Sequence, residues 1–169
     1  IDAKANSVTG VQWTTMDPAL RETMPARGDI DAITGFTFTA LLNLEAGGVK
    51  AADIVVLPYP DYGVKLYGNV IIASPKILKD NPAAVKAFLS AFTKGAREVI
   101  ASPAVAIESV KARDGIINVA LETRRLQMAI DTVINSPDAR TDGFGKVNDA
   151  RLTLMATQVS DAFATKSRV

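Results

Sequence analysis

A chain of 169 residues, 48% of them apolar and with 19 basic against 18 acidic side chains, has the composition of a globular protein with a sizeable core. A net charge of +1 without a Lys/Arg cluster argues against a nucleic-acid surface, and no apolar run nears the ~20 residues of a membrane span. With neither Cys nor His, the chain has no disulfides, thiol nucleophiles, Ser-His triads or usual zinc sites.

Val8 to Thr15 alternates β-prone residues and reads as a strand, with Trp13 expected in the core. Asp17-Pro18 then pairs an N-cap with proline at the first helical position. The short helix that follows carries Leu20 and Met24 on one face and closes at Arg27-Gly28, where glycine supplies a left-handed cap. Ile30 to Gly35 reads as a brief strand. A second helix runs from Phe36 or Thr37 to about Ala46 and ends at Gly47-Gly48. This strand-helix-strand-helix order predicts right-handed crossovers and a parallel sheet.

The segment from Asp53 to Ser74 holds all three tyrosines, Tyr59, Tyr62 and Tyr67, between two β-branched runs, Ile54–Leu57 and Val70–Ala73. Each run is short, apolar and bounded by turn residues, as expected of a strand buried on both faces. Pro58, Pro60, Asp61, Gly63, Gly68 and Asn69 punctuate the interval too heavily for a helix.

Beyond it the chain turns helical. Ser74-Pro75 starts a short helix through Leu78, and Asn81-Pro82 a long one with Val85, Phe88, Leu89, Phe92, Ala96 and Val99 at helical spacing. Ser102-Pro103 opens another, with Ile107 and Val110 inward, and Asp114-Gly115 breaks it. Leu121 to Ile134 is amphipathic, Ser136 to Lys146 reads as a polar loop, and Asn148 to Phe163 is a last helix burying Leu152, Met155, Ala156, Val159 and Phe163. The front portion is thus βαβα and the rear nearly all helix. Either those helices bundle alone, or the strands they cover lie elsewhere.

Thr34, Gly35, Phe36 and Thr37 form the turn where a parallel strand hands over to a helix, the edge at which open α/β sheets bind ligands. The alternative is a plain turn with Phe36 in the core. The tyrosines suit a pocket wall that stacks and donates hydroxyls, or else cap the sheet and bond backbone. Asn69, unusual within a strand, serves a ligand or a bulge. Asp31 and Asp61 are the acids to consider for paired-carboxylate chemistry, although spacing does not establish a pair. Gly143-Phe144-Gly145 lacks the Lys-Ser/Thr of a phosphate loop.

Three stretches, ARGDIDAITGF with LEAGG, YGNVIIASPKIL and NPAAVKAFLSAFTKGAREVIASPAVAI, make the chain resemble the NMT1/THI5-like group of ABC-transporter substrate-binding proteins, which includes nitrate, sulfonate, taurine and pyrimidine-precursor binders. The resemblance implies an α/β chain forming part of a two-lobed, type II periplasmic-binding fold, with a parallel-sheet front and a helix-rich rear. Residues 1–58 would belong to the second lobe, 59–67 to a crossover or hinge, and 68–169 to a return into the first lobe. A chain that starts at Ile1 without Met would then be a mature form or a C-terminal fragment.

The same resemblance implies a non-enzymatic, periplasmic or extracytoplasmic protein, secreted or a lipoprotein. It would capture a small organic solute and deliver it to ABC permease subunits, without cofactor or metal and without nucleic acid. Self-association of the fragment is a further expectation. The implied ligand contacts are Thr34, Gly35, Phe36, Thr37, Tyr59, Tyr62, Tyr67 and Asn69, and no residue is assigned a catalytic role. Two alternatives stay open: an enzyme of pyrimidine-precursor synthesis on the same fold, whose family members use His and Cys-rich sites that this chain lacks, and the ligand-sensing domain of a receptor.

Overall fold

The computed structural model describes residues 10–165, and among these every regular element is helical. The helices are α1 (Thr23–Arg27), α2 (Thr37–Ala46), α3 (Pro75–Asp80), α4 (Pro82–Ala101), α5 (Pro103–Lys111), α6 (Val119–Ala129), α7 (Pro137–Asp142) and α8 (Asp149–Phe163). Single 3-10 turns lie at Pro18–Leu20, Ala51–Asp53 and Tyr59–Tyr62, and α6 runs on into a widened π turn at Ile130–Ile134. The chain divides into two compact units. One takes the described residues up to Asn69 together with those from Val147 onward; the other is Val70–Lys146.

Local chemistry accounts for the ends of the helices. In the first unit, Asp17 Oδ1 accepts from the Ala19 amide at 2.8 Å, and Gly28 closes α1 in the left-handed region at φ 78°. The Gly47 amide donates to the Asn43 carbonyl at 2.9 Å and ends α2. Asn148 Oδ1 accepts from the Arg151 amide at 3.0 Å and starts α8. Leu42 and Leu44 of α2 are the buried apolar side chains here. Two positions apart, they stand about 200° around the helix from one another, so α2 is enclosed on opposite sides.

In the second unit, side-chain oxygens of Ser74, Asn81, Asn118 and Ser136 accept from the amides of Ile77, Ala84, Leu121 and Ala139 at 3.1–3.3 Å. Four helices therefore start on a capped first turn, and each of these caps removes one orphan donor. Sequence-adjacent helices pack together here, α3 on α4, α4 on α5 and α5 on α6. Ile107 and Ile130 are the buried apolar residues of this unit. Phe88 and Phe92, one helical turn apart on α4, stack with centroids 6.2 Å apart.

The expected parallel-sheet front is overturned, and with it the α/β class. No strand occurs among the described residues. Ile30 to Gly35 is irregular, residues 10–15 of the first expected strand are irregular, and Val8 and Thr9 lie outside the described residues. The runs Val55–Leu57 and Val70–Ala73 are non-helical without a ladder partner, and Val55 and Ile72 are 81% and 86% exposed. The reason is that β-propensity measures fit to a pleated, half-buried surface. Without a neighbouring strand to exchange hydrogen bonds, a β-branched run has no ladder to join.

Several expected core positions are corrected as well. Trp13 is 81% exposed, and Val110, Leu152 and Phe163 are exposed as well. The apolar stripe of α4 exists as periodicity, but Phe88, Leu89 and Phe92 remain exposed and no residue of α4 is buried. The expected loop from Ser136 contains α7, which starts on the same Ser-Pro signal that starts α3.

Candidate functional site

The turn at Thr34–Thr37 leads straight into α2, with Phe36 as an extended N-cap residue at φ −81° and ψ 129°. It does not lie on a sheet edge. Thr34, Gly35, Phe36 and Thr37 are all exposed. A Cβ added to Gly35 would lie 3.4 Å from Arg21 Cζ, so the turn backbone rests against a guanidinium. That same side chain donates from Nε to Glu22 Oε1 at 2.8 Å. Phe36 stacks on Phe38 with centroids 5.4 Å apart and an interplanar angle of 23°. Its Cε1 also lies 3.7 Å from where a Cβ on Gly68 would stand. The turn and the stretch around Gly68, over thirty residues apart in sequence, therefore meet.

Tyr59–Tyr62 forms a 3-10 turn entered through Pro58, with Pro60 in its first positions. Gly63 closes it in the left-handed region at φ 84°, and the Val64 amide donates back to the Tyr59 carbonyl at 3.1 Å. Tyr59 and Tyr62 are 45% and 51% exposed. Each carries an aromatic ring and a phenol, the equipment for stacking on a planar group and hydrogen bonding its edge. Asn69 is exposed as well.

Tyr67 is employed differently. Its hydroxyl oxygen accepts from the Asn148 amide at 2.8 Å, and its own amide donates to Met155 Sδ at 3.3 Å. Arg151 lies over its ring with Cζ 4.3 Å from the centroid. Of the two roles open to the tyrosines, Tyr67 bonds backbone, in this case the amide of the N-cap residue of α8.

Four residues of α8 and its cap thus matter that sequence reasoning did not single out as functional: Asn148, Arg151, Met155 and Gln158. Arg151 donates from Nε to the Lys65 carbonyl at 3.2 Å and from Nη2 to the Leu66 carbonyl at 2.8 Å. Gln158 Nε2 donates to the Gly63 carbonyl at 2.9 Å, which leaves its buried Oε1 without a partner. Spacings of three, four and three place the four positions on one helix face. That stripe was legible as a pattern, but nothing in it names a partner more than eighty residues upstream. Asp31 and Asp61 are both exposed.

No helix among the described residues is long and apolar enough to cross a membrane. Neither the curated proteins nor the solved structures yielded a match to the chain. A family model described as NMT1/THI5 like matches residues 3–106, more than half of the chain. Proteins of this family are typically solute-binding domains associated with ABC transporters, and some members are biosynthetic enzymes. By that match, the chain belongs to the NMT1/THI5-like family.

Proposed function

We propose that the chain is the solute-binding component of an ABC importer, capturing a small organic molecule outside the cytoplasm and delivering it to membrane permease subunits. The observation that carries this reading is the family match over residues 3–106. It acts by binding and not by turnover. Candidate contacts are Thr34, Gly35, Phe36 and Thr37 from the turn before α2, and Tyr59, Tyr62, Tyr67 and Asn69 from the tyrosine segment. Support for grouping them comes from the approach of Phe36 to Gly68 and from the two phenols exposed at Tyr59 and Tyr62. Tyr67 contributes mainly by holding its neighbours in place.

In this reading residues 59–67 are the crossover or hinge, with 1–58 before it along the chain and 68–169 after it. Tyrosines favour a planar or partly apolar solute over a bare inorganic anion. The exposed apolar runs at Val55–Leu57 and Val70–Ile72 make self-association part of the same reading.

The test is a thermal-shift screen of the protein against aromatic, amine and sulfonate solutes. A true ligand at a hundred times its Kd stabilises by about 2.7 kcal/mol, a shift of several degrees for a chain of this size. A flat response across the whole panel would overturn the proposal.

A further inference from the structure

We infer that Arg151 and Gln158 of α8 are positioning residues that fix the tyrosine turn from a distance. The inference rests on the solute-binding reading for its purpose, but its geometry stands independently. Residues 63–67 are pinned at both ends. At one end Gln158 holds the carbonyl of Gly63, the residue whose left-handed conformation closes the Tyr59–Tyr62 turn. At the other, Arg151 holds the carbonyls of Lys65 and Leu66 and covers the Tyr67 ring. Tyr67 in turn accepts from the Asn148 amide.

Three of these attachments are to main-chain carbonyls. They therefore constrain the path of the backbone and leave the side chains of the segment free. A five-residue stretch held at its first and last residues has little freedom to rotate about its length. The direction in which the Tyr59–Tyr62 turn projects its two exposed phenols follows from where Gly63 is held. Gln158 Nε2 donates to the Gly63 carbonyl at 2.9 Å, and its Oε1 has no partner among the described residues. A segment with no ladder partner of its own borrows from a helix face the hydrogen bonds that a neighbouring strand supplies in a sheet.

Hydrogen exchange of the whole protein, followed by mass spectrometry on peptides spanning Tyr59–Tyr67 and α4, tests this with no solute present. In R151M and Q158L the Tyr59–Tyr67 amides exchange about tenfold faster, while those of α4 keep their rates. R151K retains a cation for the Tyr67 ring but loses the planar fork, and it restores part of the protection. Unchanged exchange at Tyr59–Tyr67 in both R151M and Q158L overturns the inference, as does an equal acceleration in α4. Because no solute is involved, failure of the solute screen leaves this result intact, and failure here leaves the screen standing.

Discussion

Arg151 lies over the Tyr67 ring at 4.3 Å while its guanidinium donates to the carbonyls of Lys65 and Leu66. One side chain thus supplies a cation for an aromatic face and two donors for the backbone leading up to it. A lysine has one charged nitrogen in place of the planar fork and cannot match that geometry. The contact joins residues more than eighty positions apart, and it anchors the tyrosine segment to α8.

Tyr67→Phe keeps the ring beneath Arg151 and removes only the oxygen that accepts from the Asn148 amide. The expected loss is about 0.5–1.5 kcal/mol, read as a lower urea midpoint with an unchanged m-value. Tyr67→Leu loses the cation-π contact as well and costs more.

Gly63→Ala isolates a conformational cost. A Cβ there meets nothing within 4 Å, yet φ is +84°. The substitution is expected to destabilise by about 1–2 kcal/mol through left-handed strain alone, and Gly63→Asn by less because Asn tolerates that region. Thermal unfolding of the two variants side by side checks the order.

Leu42→Ala removes the side chain that is wholly buried in α2. A loss of about 2–5 kcal/mol is expected, the largest of this set, measurable by denaturant unfolding. Leu152→Ala on the exposed flank of α8 is the control, expected within about 0.5 kcal/mol of the parent.

Ile72→Lys places a charge on a run that is non-helical, apolar and 86% exposed. The free chain gives up little packing by this change, so its Tm is expected to stay close to that of the parent. Self-association, followed by light scattering across a concentration series, is expected to fall, because an edge lysine disfavours strand-to-strand pairing. Undiminished association would remove this run from the contact.

The helix starts were legible because each is decided within a few residues. Asp17-Pro18, Ser74-Pro75 and Asn81-Pro82 each pair a side-chain acceptor with a proline that needs no donor, and all three start helical turns with the acceptor bonded as expected. Ser136-Pro137 carries the same signal inside a stretch read as a loop, and α7 starts there. In that case the information was present, and the nearby glycines outweighed it.

The expectations that failed depend on distant partners. Ile54–Leu57 and Val70–Ala73 have the composition of core strands, but a strand exists only when a second one completes its ladder. The same limit hid the site. Tyr67 was visible as one of three tyrosines, whereas its hydrogen bond to Asn148 and its cover by Arg151 follow from how α8 folds back onto residues 63–67. Caps, turns and helical periodicity were determined by the sequence itself, since their energies are local. Which apolar runs are covered, and which tyrosine is anchored while two stay free, was decided only by tertiary packing, where the contacting groups lie far apart along the chain.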